Sequence, residues 1–229
     1  NTRKYHGLLV IPIKSMDDDN HVLLSSLDET VVQHGAEFNL GIHKGCGDHF
    51  YPNGHKYMRE FNCDMVPCGI YRVGDALISK EKVFMSFENR ILIKYTLLEA
   101  NTTTIIRFSP FLAFRNVKEL SVENYQADSS YREIDNGIAM CLYQGYPTLY
   151  MQFNKELQFI AQPHWHKGVE YPKEQQRGYY FKEDLFVPGY FEIQMQRGET
   201  IIFSAGISEV GTENLAHIYY KEVSQRTTR

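Results

Sequence analysis

The chain has 229 residues, 43% hydrophobic and 23% charged, enough to bury a core without a disulfide or metal staple. A net charge of −4, with no basic run longer than two residues, argues against a phosphate-tracking nucleic-acid surface. No apolar run approaches the ~20 residues of a membrane span and no signal peptide precedes Asn1, so a cytoplasmic protein without membrane contact is expected.

In chain order, the opening Asn1-Thr2-Arg3-Lys4-Tyr5-His6-Gly7 sets polar and aromatic side chains at the entry of an apolar strand over residues 5–13. Runs at 22–26 and 29–33 read as strands, with Leu27-Asp28 between them as a bend or bulge. The polar, aromatic stretch 46–59 reads as a loop able to line a groove. Residues 77–84, 90–97 and 103–109 are β-branched and roughly alternating, and short turns between them predict an antiparallel meander. A second set follows at 137–143, 148–154, 156–161, 189–196 and 199–207, with Arg197-Gly198 as a tight hairpin turn between the last two.

Two segments break the strand pattern. Residues 171–177 combine an early Pro with strong helix formers and end at Gly178. A polar loop is then expected from Arg177 to Gly189. At the end, Thr212 caps a helix whose Leu215, Ile218, Tyr219 and Val223 share one face. That face either packs on the domain's own sheet or marks a linker to another domain. About a dozen short strands with so little helix predict an all-β fold, a large two-sheet antiparallel sandwich closed by a short C-terminal helix.

Candidate chemistry is sparse. Cys46, Cys63, Cys68 and Cys141 lack metal spacing and read as buried free thiols. His164 and His166 fall on one strand face, but no third ligand accompanies them, so no metal is expected. There is no phosphate-cradling Gly-rich loop, nucleophile elbow or Ser-His-Asp signature, and no cofactor is expected. Glycoside hydrolysis needs two carboxyl groups ~5–10 Å apart, and Asp28, Glu29, Asp64, Asp184 and Glu192 are eligible. Adjacent Asp28 and Glu29 point to opposite faces of a strand and cannot pair with each other.

Taken in order, these segments resemble the N-terminal domain of bacterial and archaeal glycogen debranching enzymes, the amylo-α-1,6-glucosidase family. The resemblance rests on NTRKYHGLLV at 1–10, LLSSLDETV at 23–31, the stretch from Phe61 through Tyr71 to Glu88-Asn89, SPFLAFRN at 109–116 and RGYYFKEDLFVPGYF at 177–191. Lys118 departs from the family pattern, which has His there, and an Asn usual after the Trp block is absent, with Gly168 nearby. The resemblance implies a β-supersandwich over 1–210 and a helical linker over 211–229 toward an (α/α)6 barrel that carries the catalytic acid and base. No catalytic residue would then lie in this chain, which would pack on the barrel and help shape a groove for an α-glucan. Arg3, Tyr5 and His6 become interface or glucan-contacting residues, with Asp28, Arg177 and Asp184 behind them. The alternatives are a free-standing aldose-1-epimerase-like enzyme using a His and a Glu, or a carbohydrate-binding module.

Overall fold

The structure, a computed structural model, describes residues 2–46 and 49–227. Asn1 of the opening block, Gly47 and Asp48 of the stretch 46–59, and Thr228 and Arg229 of the terminal segment lie outside them. The strands, in chain order, are β1 (Leu9–Pro12), β2 (Asn20–Gln33), β3 (Ala36–Asn39), β4 (Ile42–Lys44), β5 (Phe50–Asn53), β6 (Met58–Asn62), β7 (Cys68–Val73) and β8 (Ala76–Phe84). They continue as β9 (Arg90–Glu99), β10 (Thr104–Asn116), β11 (Arg132–Ile134), β12 (Gly137–Met140), β13 (Leu149–Phe153), β14 (Gln158–Glu170), β15 (Lys182–Met195) and β16 (Thr200–Gly206). A short helix α1 (Pro172–Gln176) precedes β15, and α2 (Leu215–Thr227) follows β16.

Every pairing is antiparallel. One sheet runs β1-β2-β10-β15-β14 with β3 also on β2, and the other runs β11-β12-β13-β16-β9-β8-β7-β6, while β4 and β5 form a separate hairpin. The molecule is thus the expected all-β sandwich. Leu27-Asp28 is no break, because β2 runs unbroken for 14 residues and pairs with β10 across both positions. A true two-residue turn lies at His34-Gly35, both at positive φ, which suits the right-handed twist of the β2–β3 hairpin.

The expected meander is half correct. β8 and β9 form a hairpin, but β10 crosses to the opposite sheet and pairs with β2 and β15. Arg197-Gly198 is likewise a tight turn without being a hairpin, since β15 belongs to one sheet and β16 to the other. Glu199 N–H donates to Gln196 O at 3.0 Å, and Gly198 N–H donates to Leu97 O at 2.7 Å, fastening the corner to β9. The polar loop expected after Arg177 is mostly strand, because β15 starts at Lys182 and is flanked by β10 and β14. Pro188-Gly189 fits inside this central strand because the ladder is bulged there. A Cβ on Gly189 would lie 2.1 Å from Ile160 O.

Between the sheets the core centres on Phe153, whose ring lies 4.9 Å from Phe108, 5.4 Å from Phe191 and 5.1 Å from Phe203. All four rings are fully buried. The outer face of the eight-stranded sheet is covered by α2, where Leu215 and Tyr219 pack on Val83, Leu92 and Ile202. Tyr219 OH donates to Glu81 Oε2 at 2.7 Å, and Ser86 Oγ to Glu222 Oε1 at 2.6 Å. Thr212 is not the cap expected. Its hydroxyl donates to Asp135 Oδ2 at 2.7 Å, and a short 3-10 turn at Thr212–Asn214 leads into α2. Cys46 and Cys63 are exposed free thiols rather than buried ones.

Candidate functional site

The most distinctive local feature arises from an incomplete edge of β2. β10 pairs along nearly all of one edge. The other edge is shared end to end by β1, opposite residues 20–24, and β3, opposite residues 30–33. Single bonds from Leu8 N–H to Ser25 O (3.2 Å) and Leu40 N–H to Glu29 O (2.8 Å) extend each side. Residues 26–28 are left as a notch. A pocket of about 200 Å³ opens there, lined from the outer face by Asp28, His43 and Tyr171 and from the inner face by Glu29, Lys80 and Lys82.

On the outer face, Asp28 Oδ2 meets His43 Nε2 at 2.8 Å, both side chains buried. The His43 ring stacks on Phe111 with centroids 4.6 Å apart and planes 9° apart. Gly41 permits this arrangement, since a Cβ there would fall 2.3 Å from Asp28 Oδ2. The His166 ring lies 5.2 Å from that of His43. Burial first, and His43 second, hold its pKa below the usual histidine value.

Beside this dyad the same sheet carries a buried ionic network. Arg115 on β10 makes a two-point contact with Glu183 on β15, Nη2 to Oε1 at 3.0 Å and Nε to Oε2. Tyr171 OH (2.5 Å) and Ser121 N–H (2.9 Å) also donate to Glu183. Burial raises the Tyr171 pKa, and the Glu183 carboxylate pushes it further. Burial works against the Arg115 charge, and Glu183 more than offsets it. This network fixes the N-terminal segment, because Arg115 Nη2 donates to Lys4 O (3.0 Å) and Lys4 N–H to Glu174 Oε2 on α1 (3.2 Å). Lys173 N–H donates to Thr2 O at 3.3 Å, and Lys44 Nζ on β4 to Glu170 Oε2 at 3.1 Å.

On the inner face, Glu29 accepts from Tyr95 OH at 2.5 Å and pairs with Lys80. Burial opposes the Lys80 charge, and Glu29 outweighs it, raising that pKa. Lys82 follows Lys80 on the same face of β8, but its ammonium makes no hydrogen bond or ion pair among the described residues. The neighbouring Lys80 charge and then burial lower its pKa to about 8. Ser26 Oγ, on the rim of the same pocket, is buried and unpartnered.

The structure brings some of the sequence candidates together. Arg3, Tyr5 and His6 lie on the segment stitched to α1, and Arg177 ends that helix. Tyr5 is half-exposed at 43%, and Tyr179 and Tyr180, just beyond Arg177, are exposed at 65% each. Asp28 lines the notch, whose rim Leu8 joins to the N-terminal segment. Asp184 is set apart, accepting from Glu123 N–H (3.0 Å) and Gly168 N–H (3.1 Å) and so clamping the loop at 121–123. Lys118, the departure from the family pattern, bonds Asp19 at 2.8 Å on the surface. His164 is exposed, with Nδ1 on Gln162 O at 2.7 Å, and among the described residues no group of three or more His, Cys, Asp or Glu is placed to hold a metal. Sequence reasoning missed His43, Lys44, Lys80, Lys82, Arg115 and Glu183. The signal for Lys80 and Lys82 is their phase, two residues and four beyond the buried Ile78 on an alternating strand.

A sandwich of two large antiparallel sheets with a polar, charge-networked outer face is the class that this geometry defines. Residues 1–202 match the model of the family described as glycogen debranching enzyme N terminal, and the chain belongs to that family. No curated protein matches the chain. Among solved structures it is similar to a bacterial glucoamylase complexed with acarbose, at 11% identity and TM-score 0.46, covering 92% of this chain and 32% of that one. It is also similar to a protein described as a kojibiose phosphorylase from the human microbiome, at 10% identity and TM-score 0.41, covering 97% of this chain and 28% of that one. The chain thus spans about a third of the length of each.

Proposed function

We propose that this chain is the non-catalytic N-terminal domain of a cytoplasmic glycogen- or α-glucan-debranching α-1,6-glucosidase, with residues 211–229 leading toward an (α/α)6 catalytic barrel. The observation that carries the non-catalytic part is the state of the eligible carboxylates. Asp28 is bonded to His43, Glu29 to Lys80 and Tyr95, Asp64 to Asn62, Glu192 to Arg107, and Asp184 to backbone N–H groups. An acid/base pair needs two carboxyl groups facing each other across a cleft, and Asp28 and Glu29 open to opposite faces of β2.

The ordered edge formed by the N-terminal segment and α1 is the surface we assign to the barrel and the glucan. It presents Arg3 and Tyr5 beside Arg177, Tyr179 and Tyr180, and tyrosine rings offer flat apolar faces with a polar tip to sugar rings. His6 belongs to the same edge and Asp28 supports it from within, while Asp184 acts at a distance from it by clamping the loop at 121–123.

Two measurements test this reading. Purified chain incubated with branched limit dextrin releases no glucose, and release above a heat-killed control overturns the non-catalytic assignment. The reading frame beyond Arg229 continues for several hundred residues with helical-hairpin periodicity, and an immediate stop codon sinks the partner-domain role.

A further inference from the structure

We propose that Lys82 is a nucleophilic lysine, which captures a small neutral aldehyde as an imine in the pocket at the notch of β2. This goes beyond the partner-domain reading and is tested separately from it. Strand alternation puts Lys80 and Lys82 on the inner face of β8, two residues apart, and both line the pocket. Lys80 is held there by Glu29, which also accepts from Tyr95 OH, so a fixed positive charge stands beside Lys82. Glu29 is thereby occupied, and the Lys82 ammonium makes no hydrogen bond or ion pair among the described residues. That ammonium is nevertheless not sealed in the core. Among the described residues the buried side-chain nitrogen and oxygen atoms without a partner are Ser26 Oγ and Asp75 Oδ1, so the unpartnered Lys82 Nζ is open to solvent.

A partly desolvated amine beside a fixed cation is the arrangement that turns a lysine into a nucleophile, because both effects disfavour the ammonium form. The Lys80 charge and then burial bring the Lys82 pKa to about 8. At pH 7 about a tenth of it is then free amine, roughly three hundred times the share in an ordinary lysine. The free amine adds to the carbonyl carbon to give a carbinolamine. Both amine protons end on the former carbonyl oxygen, which departs as water and leaves the imine, with no oxidant or reductant consumed. Charge sets the class of aldehyde. Lys44 is paired with Glu170, Lys80 with Glu29 and Asp28 with His43, so beside a neutral Lys82 no cation on the lining is left for an acidic group. The Asp28 and Glu29 carboxylates on the same lining repel one as well. The pocket of about 200 Å³ gives room for a short chain behind the carbonyl.

The test uses propionaldehyde as probe at pH 7, with cyanoborohydride to trap imines as propylamines and peptide mass spectrometry to read each lysine. Lys14 and Lys221, both exposed, are the internal references. Lys82 is expected to react at least about tenfold faster than either, and to lose that advantage in urea that unfolds the chain. Glyoxylate, an aldehyde that carries a carboxylate, is expected to show no such advantage at Lys82. Glu29→Gln together with Lys80→Met removes the neighbouring charge without leaving its partner unpaired, and is expected to slow Lys82 toward the references. Equal rates at Lys82, Lys14 and Lys221 in the wild type overturn the nucleophile. An advantage that survives unchanged in urea or in the double variant overturns its origin in the pocket. An advantage as large with glyoxylate as with propionaldehyde overturns the neutral class.

Discussion

Lys82 shows how a single side chain can set a pH dependence for the whole chain. Its folded pKa is about 8, against 10.5 for an unperturbed lysine. Between those values the unfolded chain binds the extra proton, so stability rises with pH. The penalty is fully present below about pH 8 and has gone above 10.5. Urea midpoints for the wild type are therefore expected to climb from pH 8 to pH 10 more steeply than those of Lys82→Met, which should also be the more stable of the two at pH 7. Equal slopes would mean that Lys82 keeps an ordinary pKa. At this scale the sequence was only partly legible. Asp28 could be singled out as a turn or site residue, but its partner His43 sits on β4, and no local pattern announces that pairing. Lys80 and Lys82 were legible in principle, because their phase matches Ile78, yet alternation alone does not say which face is inside.

At the scale of elements, β15 is where reading and structure part most clearly. Its charged entry and internal Pro-Gly resemble a loop. It is nevertheless a central strand, because β10 and β14 supply partners on both sides and Arg115 neutralises the buried Glu183. Removing one member of such a pair leaves the other charge buried and alone, at a cost of about 3–5 kcal/mol. Glu183→Gln is expected to lose stability of that order, lowering Tm by about 2–4 °C for each kcal/mol, with Tyr171→Phe less affected. Differential scanning calorimetry decides it, and a shift of under about 1 kcal/mol would show that the network contributes little. The strands themselves were largely readable from β-branched alternation. The crossings at β9–β10 and β15–β16 were not, since a tight turn looks the same whether it closes a hairpin or passes between sheets. What decides is packing between residues far apart in the chain.

For the molecule as a whole, stability rests on the aromatic cluster that joins the two sheets. Phe153 touches rings from β10, β15 and β16, so Phe153→Ala opens a cavity where both inner faces meet. A loss of about 3–5 kcal/mol is expected in chemical denaturation, with one cooperative transition retained. Two separate transitions would mean that the sheets hold together independently. The fold class and family were legible across most of the chain, because composition, strand density and ordered motif blocks all pointed one way. The notch was not, because it results from where β1 ends and β3 begins on a shared neighbour.

The corner crossings also bear on how the domain is made on a ribosome. β2 must wait for β10, β10 for β15, and β9 for β16, which pairs with it at registers such as Ile201 with Tyr95. Contacts so distant along the chain delay closure and slow folding. The six-stranded sheet cannot join β10 to β14 before β15 has emerged, and β9 keeps an open edge until β16 arrives. For most of its synthesis the nascent domain therefore lacks the partners that close its strand edges, and the liability of such edges to pair with other chains lasts until the last fifth of this sequence is translated.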